Sequence, residues 1–390
     1  MTNRYSLGRY LTGAAFARTG DEMSGPALLV LGLAATGSVE TGAALLTGLT
    51  ISSALGGPAL GALLDRSPRP GGWLAVALAG YAAGLCVLVV TTGRAATAPV
   101  LAVAALTGLL NPALSGGWTA QLPQVVRGAR FARASGLDAV TFGAASLTGP
   151  ALAGLLAAAL GAPAAVLGSA VLVAAAVPVA WRLPARPPAG AKRGLLAGFR
   201  AIAASRSLLR ATTATVVSYV GVGMLTVCCP LLGLRHFGDA GTGALLLSVL
   251  AGASLLANAA LARKPSLLRP DATVLASTLV LGAAMLTAAL VQTPASAIAA
   301  VALAGLGDGP QLTALFAIRH REAPEGARAQ VFTTGTSLKI TGFAAGTALA
   351  GPLAAWSVPG CLLVAAGTEG LAALAYLAVR SRRPSPARAA

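Results

Sequence analysis

Charged side chains lie inside apolar segments of this 390-residue chain, where a charge is costly. Six of them stand out, three near the start and three near the end: Arg18, Asp21, Glu22, Asp308, Lys339 and Glu369. Ionisable groups at the depth of a lipid bilayer mark substrate or ion pathways and buried ion pairs. Each set holds one more acid than base. A carboxylate without a compensating cation in a low-dielectric site takes up protons near neutral pH. The residues therefore predict a proton- or substrate-responsive set.

Spacing along one helix suggests how the first set divides its roles. Arg18 lies three residues before Asp21 and four before Glu22, so either carboxylate can meet it on one helix face. We expect Asp21 to pair with Arg18 and Glu22 to face the substrate. In the second set we expect an Asp308–Lys339 ion pair.

Two further carboxylates have alternative readings. We expect Glu369 either to face a pathway or to be protonated or hydrogen-bonded within its own half of the chain. Asp138 lies near a segment end, where we expect it to pair with loop arginines rather than to titrate in transport.

The elements that must position these groups are long apolar segments. Apolar residues make up 56% of the chain and charged residues 10%, against roughly 25% charged in soluble domains. Segments of about 20 apolar residues span a bilayer as helices. The sequence predicts an all-α integral membrane protein with twelve transmembrane helices, near residues 10–34, 42–64, 73–93, 97–120, 134–160, 163–182, 208–233, 240–262, 272–292, 295–318, 329–355 and 359–379.

Arginines and lysines concentrate in alternate loops and at both ends of the chain. The positive-inside rule then places both termini in the cytoplasm. The net charge of +17 comes from these short loops, and no RNA-binding pattern accompanies them. We therefore do not expect the protein to bind nucleic acid. The four cysteines and two histidines show no disulfide, metal or catalytic spacing. We therefore expect no metal, no cofactor and no enzyme activity.

The chain divides into two halves with traces of a parallel repeat. Predicted boundaries are an N-terminal six-helix bundle at 1–183, a cytoplasmic linker at 184–206 and a C-terminal six-helix bundle at 207–390. Asn111 in the fourth span and Asp308 in the tenth hold matching positions within similar sequences. A parallel repeat suits two halves that rock about a central site, so these two residues are first candidates for that site. Further polar candidates are Trp118, Gln121, Tyr219, Asn258, Gln311 and Thr313.

A charged loop joins the second and third spans on the predicted cytoplasmic side. It reads Gly61-x-Leu63-x-Asp65-Arg66-x-Pro68-Arg69. Gly61 permits a close helix approach, and Asp65 can pair with Arg66, with Arg69 or with the opposite half. Charges between two halves can hold one conformation and release in another. We predict that Gly61, Asp65, Arg66 and Arg69 form a conformational latch; the alternative is that they only set topology.

This loop and the twelve spans resemble the major facilitator superfamily over the full length. The family signature is Gly-x-Leu-x-Asp-Arg-x-Gly-Arg, and this chain departs from it at Pro68. The fifth span contains Gly149, Pro150 and Gly154, similar to the motif of the antiporter branch. Segments around Arg18-Thr-Gly20-Asp21 and Asn111-Pro112-Ala113 resemble the drug- and siderophore-exporting branch. The arginine that many antiporters carry in the fourth span is absent.

The resemblance implies the major facilitator fold and a secondary active transporter that works by rocker-switch alternating access. Proton-coupled export of a small amphipathic or lipophilic solute by a monomer in the bilayer is the expected function. The alternatives are an importer or facilitator of a small metabolite, and a transport-inactive sensor or assembly subunit. Frequent Ala, Gly and Arg suggest a bacterium with a high-GC genome. We therefore expect a multi-pass protein of the bacterial cytoplasmic membrane.

Overall fold

Long helices form the fold in a computed structural model, which describes residues 6–185, 194–237, 242–290 and 293–379. The helices in these ranges are α1 (Leu7–Thr36), α2 (Val39–Arg66), α3 (Pro70–Thr91), α4 (Thr97–Gly108), α5 (Gly116–Thr119), α6 (Leu122–Val125), α7 (Phe131–Leu160), α8 (Ala162–Trp181), α9 (Ala197–Ala204), α10 (Arg206–Phe237), α11 (Thr242–Arg263), α12 (Pro270–Ala289), α13 (Pro294–Glu322), α14 (Arg328–Trp356) and α15 (Val358–Ala378). We call α1–α8 the first half and α10–α15 the second half.

Local sequence signals fix several helix ends. The Ser6 hydroxyl accepts the backbone N–H of Arg9 at 3.3 Å and caps α1. Thr293 and Ser296 form a reciprocal capping box at the start of α13. α1 ends at Gly37, whose φ of 70° favours a residue without a Cβ. Because these signals agree with the apolar pattern, the ends of the long helices other than α4 lie within about one helical turn of the predicted spans.

Ten helices in the described residues are long and apolar enough to cross a membrane. They do not include α1 and α14, although these have 30 and 29 residues. α1 carries three of the charged residues, and α14 carries Lys339 and many hydroxyl side chains. Their polar character reflects what they face, because both pack within the bundle against several apolar helices.

The fourth predicted span, 97–120, is not one continuous helix. α4 ends at Gly108, a 3-10 turn covers Asn111–Ala113, and the short α5 follows. Pro112 has no N–H to donate to the carbonyl of Gly108, and it disfavours helical backbone at Asn111. The break therefore places Asn111 at an irregular point of the chain. Irregular backbone at membrane depth is typical of places that line a cavity or are covered by protein.

The two halves meet along two helix pairs. α2 packs along α14, and α7 packs along α11. Glycines make both approaches close: a Cβ on Gly57 would lie 2.5 Å from the Thr333 carbonyl oxygen, and a Cβ on Gly136 would lie 2.9 Å from Ala262 Cα. Small residues let helix backbones pack closely in membrane proteins.

One end of the bundle collects the loops that follow α2, α6, α11 and α13. The end of α2 contacts the start of α14 through Asp65 and Gln330, and the start of α7 contacts the end of α13 through Phe131 and His320. We call this end the basic face, because it carries Arg66, Arg69, Arg127, Arg130, Arg133, Arg263, Lys264 and Arg269.

Candidate transport cavity

Asp65 joins the two halves at the basic face. One carboxylate oxygen accepts the backbone N–H of Ala329 at 2.9 Å, and the other accepts that of Gln330 at 2.7 Å. Both donors belong to the first turn of α14, so Asp65 of the first half caps a helix of the second. The unpaired N–H groups and positive dipole end of a helix favour an anion there. Asp65 is only 3% exposed, and this burial strengthens the contact.

Above Asp65, the α2–α14 contact continues without a gap. A Cβ on Gly61 would lie 2.5 Å from Gln330 Cα. Further along, the Ser337 hydroxyl donates to the Ser53 carbonyl at 2.9 Å. Three of the contacts between halves therefore lie on one line of α2, and the predicted role of Gly61 in close approach has a structural counterpart.

Aromatic side chains from both halves fill the centre of the basic end. Phe142 lies 5.3 Å from Phe316, ring centroid to centroid, and Phe316 lies 5.8 Å from Phe332. His320 packs against Phe332 at 4.5 Å and against Phe131 at 4.9 Å. With the α2–α14 and α7–α11 contacts, this cluster closes the space between the halves at the basic face.

Asp21 lies in a polar network on the first-half side of that space. Its carboxylate accepts hydrogen bonds from the Asn111 amide and, at 3.2 Å, from the Tyr81 hydroxyl. Ser24 is 2.9 Å from the same hydroxyl. The side-chain Oδ1 of Asn111 accepts a hydrogen bond from the Ser53 hydroxyl at 3.1 Å. The structure thus brings together two predicted site residues from different spans, and four helical segments converge on one carboxylate.

Glu22 points into the space between the halves. Although it lies near the middle of α1, it is exposed, and Ser146 of α7 donates to it at 3.1 Å. It interacts electrostatically with Lys339 and Asp308 of the second half. Gly149 of α7 leaves room for Glu22, since a Cβ at Gly149 would lie only 2.6 Å from Glu22 Cβ. We call the space bordered by Asp21, Glu22, Asp308 and Lys339 the cavity.

Tyr219 organises the second-half side of the cavity. Its hydroxyl donates to Asp308 at 2.9 Å, and its ring lies 4.3 Å from the Lys339 ammonium. Ser254 is a weaker donor to Asp308 at 3.5 Å. The prediction of a direct Asp308–Lys339 ion pair is therefore wrong, because the tyrosine satisfies the carboxylate and offers its ring face to the cation.

The sequence of the chain that forms this cavity matches a known protein family. The sequence profile of the Major Facilitator Superfamily matches residues 10–339, most of the chain. The chain belongs to the major facilitator superfamily. Members of this superfamily are transporters and not enzymes, so the chain is not an enzyme. Curated proteins gave no match to the sequence.

Solved structures of other transporters share the fold of this major facilitator protein. A bacterial homologue of the iron transporter ferroportin, in an outward-facing state, aligns with a TM-score of 0.78 at 16% identity, covering 96% of this chain and 99% of the other. A human organic anion transporter aligns with a TM-score of 0.75 at 16% identity, covering 96% and 100%. The fucose:proton symporter of E. coli has a TM-score of 0.71 at 15% identity, covering 97% and 100%.

The sequence had predicted that Arg18 pairs with Asp21, and this prediction is wrong. Its guanidinium lies 3.0 Å from the Asp138 carboxylate, donates to Thr119 at 2.8 Å and stacks 3.6 Å over Phe142. Asp138 pairs with Arg18 and not with loop arginines, so that prediction is also wrong. On α1, the Arg18 side chain points towards α7, which supplies several hydrogen-bond acceptors. The Asp21 side chain points towards Asn111, at the break in the fourth span. Arg18 is 2% exposed, inside the first half of this transporter.

Glu369 lies in the core of the second half rather than on the cavity. It is 1% exposed, and Ser218 donates to one of its oxygens at 2.8 Å. Ser218 also accepts from Gln311 at 3.1 Å, and Gln311 donates to Thr278 at 2.9 Å. The other Glu369 oxygen has no hydrogen-bond partner in the described part of the chain. The reading that Glu369 is bonded within its half agrees with this placement.

The remaining candidates fall into two groups. Of the other polar candidates, only Tyr219 reaches the cavity carboxylates; the fully packed ones are Trp118, Gln121, Asn258, Gln311 and Thr313. In the antiporter-like motif, Gly149 touches Glu22, whereas Pro150 is exposed and a Cβ on Gly154 would meet nothing within 4 Å.

Sequence reasoning missed two cavity residues, Tyr81 and Ser146. The chain has only 5 tyrosines, and one placed between Gly80 and Ala82 in an otherwise apolar span is a usable signal, because a buried tyrosine hydroxyl needs a partner. No comparable signal marks Ser146.

Proposed function

We propose that this protein is a secondary active transporter that couples proton movement to export of a small amphipathic or lipophilic solute. It works by alternating access between an N-terminal bundle, 1–183, and a C-terminal bundle, 207–390, joined by a linker at 184–206. In this proposal twelve helices cross a bacterial cytoplasmic membrane, α1 and α14 included, and both termini and the basic face are cytoplasmic. The similarity to drug and siderophore exporters belongs to the same proposal.

The observation that carries the proposal is the placement of Glu22 opposite Lys339 and Asp308. These groups come from different halves, lie near the middle of long helices and interact electrostatically with one another. Charges at such a depth are retained where they serve a pathway. Protonation of Glu22 would remove its attraction to Lys339 across the cavity. The balance between the two conformations then changes with each proton bound, which is what coupling requires.

The closed basic face supports an outward-facing conformation. If positive loops are cytoplasmic, the contacts through Asp65 and the Phe316–Phe332 pair close the cytoplasmic side. The ferroportin homologue named above was also solved in an outward-facing state. During export, the solute leaves and a proton enters the cavity on the outward side. The Asp65 contact must then break before the cavity opens to the cytoplasm.

The cavity surroundings favour an amphipathic solute. The chain has only 4% aromatic residues and is 56% apolar, so we infer that apolar side chains dominate the cavity walls. Sugars are usually held by more polar and aromatic partners. Across the described residues, no group of three or more His, Cys, Asp or Glu side chains could hold a metal ion, so the ferroportin likeness brings no iron site to this proposal.

Transport into proteoliposomes tests the coupling. The purified protein is reconstituted, a pH gradient is imposed, and movement of the amphipathic dye ethidium is followed by fluorescence. Glu22→Gln, Asp21→Asn and Asp308→Asn should each abolish gradient-driven movement while the protein remains folded. Glu325→Gln, an acid-to-amide change at an exposed site of the basic face, serves as the matched control. Unchanged coupling in all three cavity variants would refute the proposal.

Cells expressing the protein test the direction of transport. Dissipating the proton gradient should raise the dye accumulated by cells if the protein is an exporter. A fall in accumulation would instead identify an importer, and no movement in either assay would support the transport-inactive alternative.

A further inference from the structure

A second pocket lies between the two halves at the basic face, away from the cavity. Its volume is about 310 Å³, the size at which small-molecule sites begin. α7 of the first half contributes Phe131, Ala132 and Ser135, and the second half contributes His320 and Arg321 among others. Its walls are mostly apolar, and the polar side chains that line it are Ser135, His320 and Arg321. We call it the interface pocket.

His320 brings unmet hydrogen-bonding capacity to the interface pocket. It is 9% exposed, and neither ring nitrogen has a hydrogen-bond partner in the described ranges. Phe131 and Phe332 hold the ring in place by aromatic contacts. A neutral imidazole carries one donor and one acceptor, and each buried polar group left unpaired costs about 1–3 kcal/mol. A ligand that pairs with this ring would recover that energy.

The charges around His320 favour an anionic ligand group. Arg319 is 1% exposed, and its Nε and Nη2 atoms find no hydrogen-bond partner among the described residues. It interacts electrostatically with His320, as does Arg328. The nearby carboxylates of Asp271 and Glu322 are engaged by Arg321, at 2.9 Å in each case. An anion beside His320 would therefore meet the positive charge of Arg319.

We propose that the interface pocket binds an amphipathic carboxylic acid. The apolar body of the ligand packs against Phe131 and the neighbouring proline and leucine side chains, and its carboxylate accepts a hydrogen bond from His320 in the field of Arg319. Because the walls come from both halves, a bound acid holds the basic face closed. The binding claim is independent of the proposed transport function; the locking claim rests on alternating access.

Thermal unfolding of the purified full-length protein tests binding. Phenylbutyrate is the probe, and phenylbutanol is its uncharged analogue. Phenylbutyrate should raise the unfolding temperature in a saturable way, since a ligand that binds only the folded state stabilises it. Phenylbutanol should bind at least tenfold more weakly. Octanoate is compared with phenylbutyrate to distinguish aliphatic, lipid-derived acids from aryl metabolites as the source of the ligand.

Three variants make the test specific to this pocket. His320→Phe keeps an aromatic ring but removes both nitrogens, and it should weaken phenylbutyrate binding at least tenfold. Ala132→Leu, at an exposed residue, fills the pocket and should abolish binding even if the histidine variant fails to fold. His236→Phe, the same change at the far end of α10, should bind as the native protein does. Absent saturation, or equal binding in the native and Ala132→Leu proteins, would overturn the proposal.

A distance measurement tests the locking claim. Spin labels on cysteines replacing Arg182 of the first half and Arg263 of the second, with Cys86 replaced by Ser, report separation at the basic face. Phenylbutyrate should shift the population towards the shorter distance, and Ala132→Leu should prevent the shift. An unchanged distribution at saturating phenylbutyrate overturns the locking claim.

Discussion

Replacing Asp65 with alanine should open the basic face. The substitution removes both acceptors of the Ala329 and Gln330 N–H groups, and these bonds exist only while α2 and α14 are together. In the open state the same N–H groups and the carboxylate bind water. The variant is therefore destabilised mainly in the closed state, and Asp65 acts as a conformational switch rather than as a general support of the fold.

The size of the effect follows from the two contacts. Loss of a helix N-cap costs about 0.5–2 kcal/mol, and hydrogen bonds to a charged group contribute about 1.5–3 kcal/mol each. Because water replaces them in the open state, we expect a net shift of about 2–3 kcal/mol in the equilibrium between states. That corresponds to a population change of roughly 30- to 150-fold towards the open basic face.

Cysteine labelling measures this shift. Ser146 is exposed on the cavity, so Ser146→Cys in a Cys86→Ser background reports which side the cavity opens to. With Asp65→Ala, a membrane-impermeant maleimide should label the cysteine much faster from the basic side and more slowly from the opposite side. Glu325→Ala is the control for loss of a negative charge at the same face. Labelling rates equal to those of the control would refute the switch role of Asp65.

Three further substitutions test other parts of the structure. Arg18→Leu leaves Asp138 buried without its cation, so chemical denaturation should show a loss of about 3–5 kcal/mol, and adding Asp138→Leu should restore part of it; full stability of the single variant would contradict the pairing. Gly149→Ala should push the α1 backbone at Glu22 away from α7, because a Cβ there would lie 2.6 Å from Glu22 Cβ, and it should slow dye transport in proteoliposomes. Gly154→Ala, where a Cβ meets nothing within 4 Å, should behave as the native protein; equal rates would contradict the role of Gly149. Tyr219→Phe keeps the ring under the ammonium but loses the hydroxyl, so transport should fall about tenfold for a bond of about 1.4 kcal/mol; an unchanged rate would show that this hydrogen bond is not used.

Much of the helical layout was predictable from the sequence, because a membrane span leaves a strong one-dimensional signal. Apolar length predicted where helices lie, and the described helices follow those ranges. The break in the fourth span was not predicted, although Pro112 carried the information. Apolar length alone cannot distinguish a continuous span from a broken one, since both bury the same side chains.

The pairing of charges was predicted poorly, for a physical reason. Spacing along one helix allowed Arg18 to pair with Asp21 or Glu22, but three-dimensional packing offered Arg18 a carboxylate on α7, two threonine hydroxyls and a phenylalanine ring. Likewise Tyr219 took the place expected for a direct contact between Asp308 and Lys339. Local rules rank neighbours on the same helix, whereas buried charges select the site with the most compensating groups.

The interface pocket was beyond the reach of sequence reasoning. His320 is one of two histidines that show no metal or catalytic spacing in the sequence, and Phe131 lies far from it in the chain. Their contact at 4.9 Å depends on how the two halves meet. A site whose walls come from two separate parts of the chain leaves no local sequence pattern.

Proton movement measured during transport tests the central claim most directly. Proteoliposomes loaded with a pH-sensitive dye and reconstituted with the purified protein are given ethidium without an imposed pH gradient. If the protein exchanges ethidium for protons, ethidium movement across the membrane should drive protons in the opposite direction and so change the internal pH. Glu22→Gln should abolish this pH change. Ethidium movement with no proton movement, or identical proton movement in Glu22→Gln, would contradict the central claim.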